Sequence, residues 1–306
     1  MKKKFRGVFA ALTTPFVGGS VAGKKFRENI RRYNGTGLAG YVILGSTGEA
    51  VFLNEEESEK LLAEAETSAS PGKKIIVGAS RESTQLTIEF TNLAAEHGAH
   101  AALIKPPHYY KSRMSQEVLK DYYLRIAEKS KIPVLIYNIP QNTGISVDPP
   151  LVIELSRHPN IAGIKDSSGS LANLVEALPE VGPGFAFLLG AGSIFWPGLL
   201  LGASGGILAM AAAVPDLCVK LYTFYCEGRV EEAKKLQLAL APFNKALTQT
   251  LGIPAIKYAL DLLGYYGGPP RPPLPPLKEN GKKYIEQNLK KLGLSAGRPP
   301  GKRAQK

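Results

Sequence analysis

Eight short apolar runs, each followed by Gly, Pro, Ser or Thr, recur between residues 7 and 209 of this 306-residue chain. They span 7–12, 40–44, 74–77, 99–104, 133–137, 162–164, 185–189 and 205–209. Runs this short, rich in Val, Ile and Leu and lacking polar alternation, read as strands buried on both faces, as in a parallel sheet. Helical periodicity fills the gaps. In 54–68, Asn54 precedes Glu55, Glu56 and Glu57, a start that can satisfy free amides and complement the helix dipole. Segments 83–96 and 115–129 behave alike, with Ser115 placed to cap the latter. Eight strands alternating with helices predict an α/β fold, a (β/α)8 barrel, since eight strands suffice to close one. An open doubly wound sheet is the weaker alternative, because no GxGxxG follows the first strand.

Strand signals stop after Val214, and 215–227, 230–248, 254–263 and 278–292 read as helices. The expected division is a barrel core over 1–214 whose last helix continues to about 227, a C-terminal helical region over 228–294, and a basic, disordered tail over 295–306. Between the last two helices, the proline-rich stretch 267–276 reads as a stiff, extended connector.

The net charge of +12 raises the question of nucleic acid. Residues 1–10 hold four basic side chains and no acid, and 281–306 hold eight against Glu286 alone, so the body is close to neutral. Basic ends without a recognition motif argue against nucleic-acid binding. No apolar run approaches the roughly 20 residues that cross a bilayer, so no membrane partner is expected. Met1-Lys2-Lys3-Lys4 has the charge of a signal peptide, but the apolar stretch behind it is too short, and a cytoplasmic location is expected. Cys218 and Cys226 lie about 12 Å apart along one predicted helix, too far for a mutual disulfide. The four histidines and two cysteines show no metal-ligand spacing, and no metal is expected.

In such a barrel, functional groups gather at the C-terminal strand ends. The second strand ends in Gly45-Ser46-Thr47-Gly48-Glu49, two hydroxyls between glycines that let backbone amides approach a ligand. The fourth leads into Lys105-Pro106-Pro107-His108-Tyr109-Tyr110, the fifth ends at Tyr137-Asn138, and the sixth ends at Lys165-Asp166. A lysine at the end of a buried strand is costly unless its amine has work to do. Uncharged, it is a nucleophile able to form an imine with a keto acid, and desolvation favours that form. Adjacent strand residues face opposite sides, so Asp166 is poorly placed as an ion-pair partner for Lys165.

These motifs resemble the dihydrodipicolinate synthase / N-acetylneuraminate lyase family of pyruvate-handling Schiff-base lyases and aldolases. The resemblance spans about 7–291 and rests on Thr13-Thr14-Pro15-Phe16, Gly45-Ser46-Thr47-Gly48-Glu49, Tyr137-Asn138-Ile139-Pro140, Gly163-Ile164-Lys165-Asp166 and the stretch 202–207. It implies that Lys165 forms an imine with pyruvate or its parent aldol, with no other cofactor and no metal. Tyr137 would shuttle protons through Ser46 and a tyrosine of the fourth loop, Tyr109 by alignment on the two prolines, with Tyr110 one place away. The amides of Ser46 and Thr47 would hold the pyruvate carboxylate, and Ile207 would pack on the ligand. The family commonly forms homo-oligomers, tetramers built from dimers, in which a loop tyrosine crosses between sites.

Asn142 stands where the synthase carries an arginine that grips aspartate semialdehyde, and an amide cannot replace that charged fork. The loop His108-Tyr109-Tyr110-Lys111-Ser112-Arg113-Met114, the ending Lys165-Asp166-Ser167 and Gly252-Ile253-Pro254 look more like the 4-hydroxy-2-oxoglutarate aldolase branch, in which Ser167 would line the site. The expected reaction is reversible cleavage of 4-hydroxy-2-oxoglutarate to pyruvate and glyoxylate, with Lys111 or Arg113 on the distal carboxylate. The alternatives are dihydrodipicolinate synthesis from aspartate semialdehyde, an N-acetylneuraminate-type or other keto-sugar-acid lyase, and a non-catalytic sensor barrel.

Overall fold

The computed structural model describes residues 5–294. The basic tail 295–306 and Lys2, Lys3 and Lys4 lie outside the described residues. Eight parallel strands close into a barrel: β1 (Gly7–Ala11), β2 (Gly40–Ile43), β3 (Lys74–Gly78), β4 (Ala101–Ile104), β5 (Val134–Asn138), β6 (Ile161–Asp166), β7 (Ala186–Leu189) and β8 (Gly205–Leu208). Each pairs with the next, and β8 returns to β1 with Gly7 opposite Gly205. The expected (β/α)8 barrel is the observed fold, each strand lying within two residues of its expected limits at either end, β6 running two residues further to Asp166.

Alternation along the strands sorts two cores. Phe9, Ala11, Val42, Ile76, Leu103, Leu135, Tyr137, Leu188 and Ile207 fill the barrel interior, with Phe5 beneath them. Their neighbours Val8, Ala10, Tyr41, Ile43, Ile136 and Phe187 point outward into the layer beneath the helices. By the same period of two, Lys165 faces inward between the outward-facing Ile164 and Asp166.

The helices begin where their caps direct. Asn54 accepts from the Glu57 amide while the Glu57 carboxylate accepts from the Asn54 amide, a reciprocal cap on Glu55–Ser68. Ser83 and Ser115 cap Thr84–Glu96 and Gln116–Lys129 in the simpler way. Among the described residues, no helix is long and apolar enough to cross a membrane.

Beyond the barrel run Pro215–Cys226, Val230–Lys245, Ile253–Leu262 and Glu279–Lys291. The second does not continue as α-helix to Thr248 as expected. It widens into a π-turn over Ala246–Thr250, which Leu251 closes by donating to the Ala246 carbonyl over 2.9 Å. The proline-rich connector is extended, but it is also packed down as a strap. Arg271 lies over the Phe16 ring, forks onto both Glu57 oxygens at 2.6 and 2.7 Å, and donates to the carbonyls of Phe52 and Gly19.

Candidate active site

The end of β2 builds the first wall. Gly45 leads into a tight turn over Ser46–Gly48, in which the Gly48 and Glu49 amides close onto the Gly45 and Ser46 carbonyls. Among the described residues, the Ser46 and Thr47 amides, first in the turn, donate to no backbone carbonyl. Glu49 then adopts a left-handed conformation, φ 56°, which a glutamate holds only when its surroundings compel it. They do. Its enclosed carboxylate pairs with Lys257 Nζ at 2.6 Å and accepts from the Arg271 amide at 2.8 Å, tying the loop to the C-terminal helices and the strap. Lys257 also donates to the Pro269 carbonyl and sits 4.4 Å from the Phe16 ring centre. Burial pulls this ammonium below the usual lysine range, although Glu49 opposes the shift.

The second wall is β5 and β6. Their register sets Tyr137 opposite Lys165 and Asn138 opposite Asp166. Lys165 is 5% exposed and, among the described residues, has no ion-pair partner; its Nζ lies 4.0 Å from the centre of the Tyr137 ring. Asp166 turns the other way, accepting from Asn138 Nδ2, the Ser168 amide and Asn173 Nδ2. It organises the loop after β6 and leaves Lys165 unpaired, as strand alternation required.

A cavity of about 760 Å³ opens above these residues. Ser46, Thr47, Tyr137, Lys165, Ser167 and Ile207, all expected at the site, line it and so meet in one space. Tyr109 is not among them. It stands 78% exposed, edge-on to Tyr110, above a separate groove with Glu82, Thr84, Met114 and Tyr122. Glu82 fixes this position by accepting from the His108 and Tyr109 amides at 2.8 and 2.9 Å. Within one chain, Tyr109 and Lys165 are not brought together.

Neither Lys111 nor Arg113 lines the cavity; Lys111 packs against Gly144. Asn142 does line it, beside Gln141, whose amide donates to the Ser167 carbonyl. Among the described lining residues Lys165 is the one charged side chain, and the other polar side chains carry hydroxyls and carboxamides.

The far wall was missed in the sequence. It consists of Asn244, Leu247, Thr248 and Gln249 on the π-turned helix end, 251–254 after it, and Leu274 and Pro275 of the strap. The single signal available was Pro254 behind Gly252, which marks a break but not where the break points.

The chain matches the model of the dihydrodipicolinate synthetase family over residues 4–292. It is 34% identical to the 4-hydroxy-tetrahydrodipicolinate synthase of Methanothrix thermoacetophila, covering 96% of this chain and 99% of that protein. It is 33% identical to the L-threo-3-deoxy-hexylosonate aldolase of Hypocrea jecorina, covering 86% and 88%. Among solved structures, the dihydrodipicolinate synthase from Aquifex aeolicus superposes with a TM-score of 0.90 at 29% identity, covering 95% of this chain and 99% of that one.

Proposed function

This chain belongs to the dihydrodipicolinate synthetase family, and from that premise we propose that it is a pyruvate-dependent class I lyase, which reversibly cleaves a 2-keto acid to pyruvate and a small, uncharged aldehyde. The carrying observation is the buried amine of Lys165 against Tyr137, without an ion-pair partner and as the one charged side chain lining the cavity among the described residues.

In the proposed cycle the Lys165 amine adds to the 2-keto carbon and water leaves, giving a protonated imine. The electron pair of the bond between the third and fourth carbons flows to the imine nitrogen, and the hydroxyl on the fourth carbon loses its proton to Tyr137 as it becomes the aldehyde. Protonation of the resulting enamine at its third carbon and hydrolysis release pyruvate. A phenol suits both transfers because it donates and accepts. The Ser46 and Thr47 amides hold the carboxylate, Ile207 packs on the methylene, and Ser46 passes the proton onward. Tyr109 completes the relay from a neighbouring copy of the chain, the arrangement its exposure permits.

The expectation of 4-hydroxy-2-oxoglutarate rested on the 108–114 loop, the Lys165-Asp166-Ser167 ending and Gly252-Ile253-Pro254, and it would also need a cation for the distal carboxylate, which neither Lys111 nor Arg113 supplies to the cavity. A carboxylate held there without a countercharge would lose its hydration with little return. A second reading, condensation of pyruvate with aspartate semialdehyde, draws support from the name of the Methanothrix relative. It meets the same objection at Asn142. The deciding experiment measures pyruvate release from neutral 3-deoxy-2-keto sugar acids and from 4-hydroxy-2-oxoglutarate, together with condensation of pyruvate and aspartate semialdehyde. Turnover of a neutral sugar acid at the higher kcat/KM supports the reading, and preference for either dicarboxylic route refutes its uncharged half.

A further inference from the structure

Five carboxamide side chains are buried among the described residues: Asn29, Asn138, Gln237, Asn244 and Asn288. Four of them have partners. Asn29 exchanges hydrogen bonds with Tyr266, Asn138 donates to Asp166 and accepts from the Val147 amide, and Asn288 donates to the Tyr284 carbonyl. Gln237 donates to the Gly192 and Ser193 carbonyls and accepts from the Trp196 amide. Asn244 lies seven residues beyond Gln237, two turns along the same helix and so on the same face. It is 3% exposed, and its carboxamide has no hydrogen-bond partner among the described residues.

The carboxamide of Asn244 lies directly against Gly192, where a Cβ would come within 2.4 Å of its Oδ1. Gln237 fixes that same turn from below, so Gly192 and Asn244 form a notch of set geometry. Neither polar atom of the carboxamide is fully enclosed, and the space that Asn244 lines is the Lys165 cavity. With no protein partner fixing it, the carboxamide can turn both its donor and its acceptor toward whatever occupies the cavity.

We propose that Asn244 is the specificity-determining residue for the aldehyde half of the substrate, and that it hydrogen-bonds a hydroxyl group there. The proposal rests on the lyase reading above. Its chemistry follows from having both ends of the carboxamide open: the NH2 donates and the carbonyl accepts, which matches a hydroxyl, while a carboxylate would use the donor alone and face the acceptor with like charge. The aldehyde recognised is therefore hydroxylated as well as uncharged, as in a short sugar.

The test runs the reaction in the synthetic direction, with pyruvate and a panel of glyceraldehyde, lactaldehyde, 3-hydroxypropanal and propanal. For the wild-type protein, kcat/KM for at least one hydroxylated aldehyde exceeds that for propanal by about 10- to 100-fold. In Asn244→Leu, similar in shape but apolar, that ratio collapses toward one. A wild-type ratio near one, or a ratio that survives in Asn244→Leu, overturns the proposal. Should Asn244→Leu fail to fold, Asn244→Ala repeats the variant arm, and a wild-type ratio near one still overturns the proposal. Borohydride trapping of the wild-type protein with pyruvate separates the two levels. Without an adduct the lyase reading falls and this inference with it; with an adduct but no discrimination, this inference alone falls.

Discussion

The amine of Lys165 stands 4.0 Å from the centre of the Tyr137 ring, and the two residues are paired across neighbouring strands β6 and β5. Strand pairing fixes both backbones, and the barrel's alternation turns both side chains inward. The amine is thereby held over a phenol in a confined space, the arrangement that imine chemistry needs for its proton transfers.

Tyr137→Phe keeps the ring and removes the hydroxyl. We expect kcat to fall by about 10²- to 10⁴-fold, the usual worth of one positioned acid–base group, with a much smaller change in KM for the keto acid. Steady-state kinetics check this. A loss expressed in KM alone would make Tyr137 a binding residue.

Tyr109→Phe should lower kcat while Tyr110→Phe should not, if the relay is the residue aligned on the two prolines. A relay supplied by a neighbouring copy has a sharper consequence. Mixing Lys165→Ala with Tyr109→Phe under conditions that exchange subunits should restore activity, because some sites then combine an intact lysine with an intact tyrosine. Assaying the mixture against the separate variants reads this directly.

Lys257→Met leaves the Glu49 carboxylate buried without its countercharge. Breaking such a pair from one side costs about 3–5 kcal/mol. Chemical denaturation should show that loss, and Lys257→Met combined with Glu49→Gln should recover much of it. The Ser46–Thr47 turn sits on Glu49, so the single variant should also raise KM for pyruvate.

The Arg271 guanidinium, by hydrogen bonding to both oxygens, holds the Glu57 carboxyl below the usual glutamate range. A carboxyl depressed in the folded state stabilises it fully above the unfolded value of about 4.3, and that contribution fades as pH falls through the folded value. Thermal stability of the wild-type protein should therefore drop more steeply below about pH 4 than that of Glu57→Gln, measured by calorimetry over a pH series.

The eight strands were legible because both faces of each are buried, which writes an uninterrupted apolar run into the sequence. Lys165, Tyr137, Ser46 and Thr47 were legible because they interrupt or end those runs. The far wall was not. Asn244, Thr248 and Gln249 lie on a helix whose periodicity is ordinary: Asn244 stands at the end of its regular part, and the aim of Thr248 and Gln249 depends on the π-turn, a tertiary feature without a compositional mark. The proline-rich strap was legible as extended chain, but its anchorage through Arg271 depends on Glu57 and Glu49, more than two hundred residues away in sequence. Tyr109 was legible as a strand-end aromatic, and its place outside the cavity follows from Glu82, whose hold on the loop amides no local pattern announces.

The most direct measurement is mass spectrometry of the protein after borohydride reduction in the presence of pyruvate, followed by peptide mapping. We expect one reduced-pyruvate adduct per chain, located on Lys165 and absent from Lys165→Met. An unmodified wild-type protein, or an adduct on any other lysine, would contradict the account.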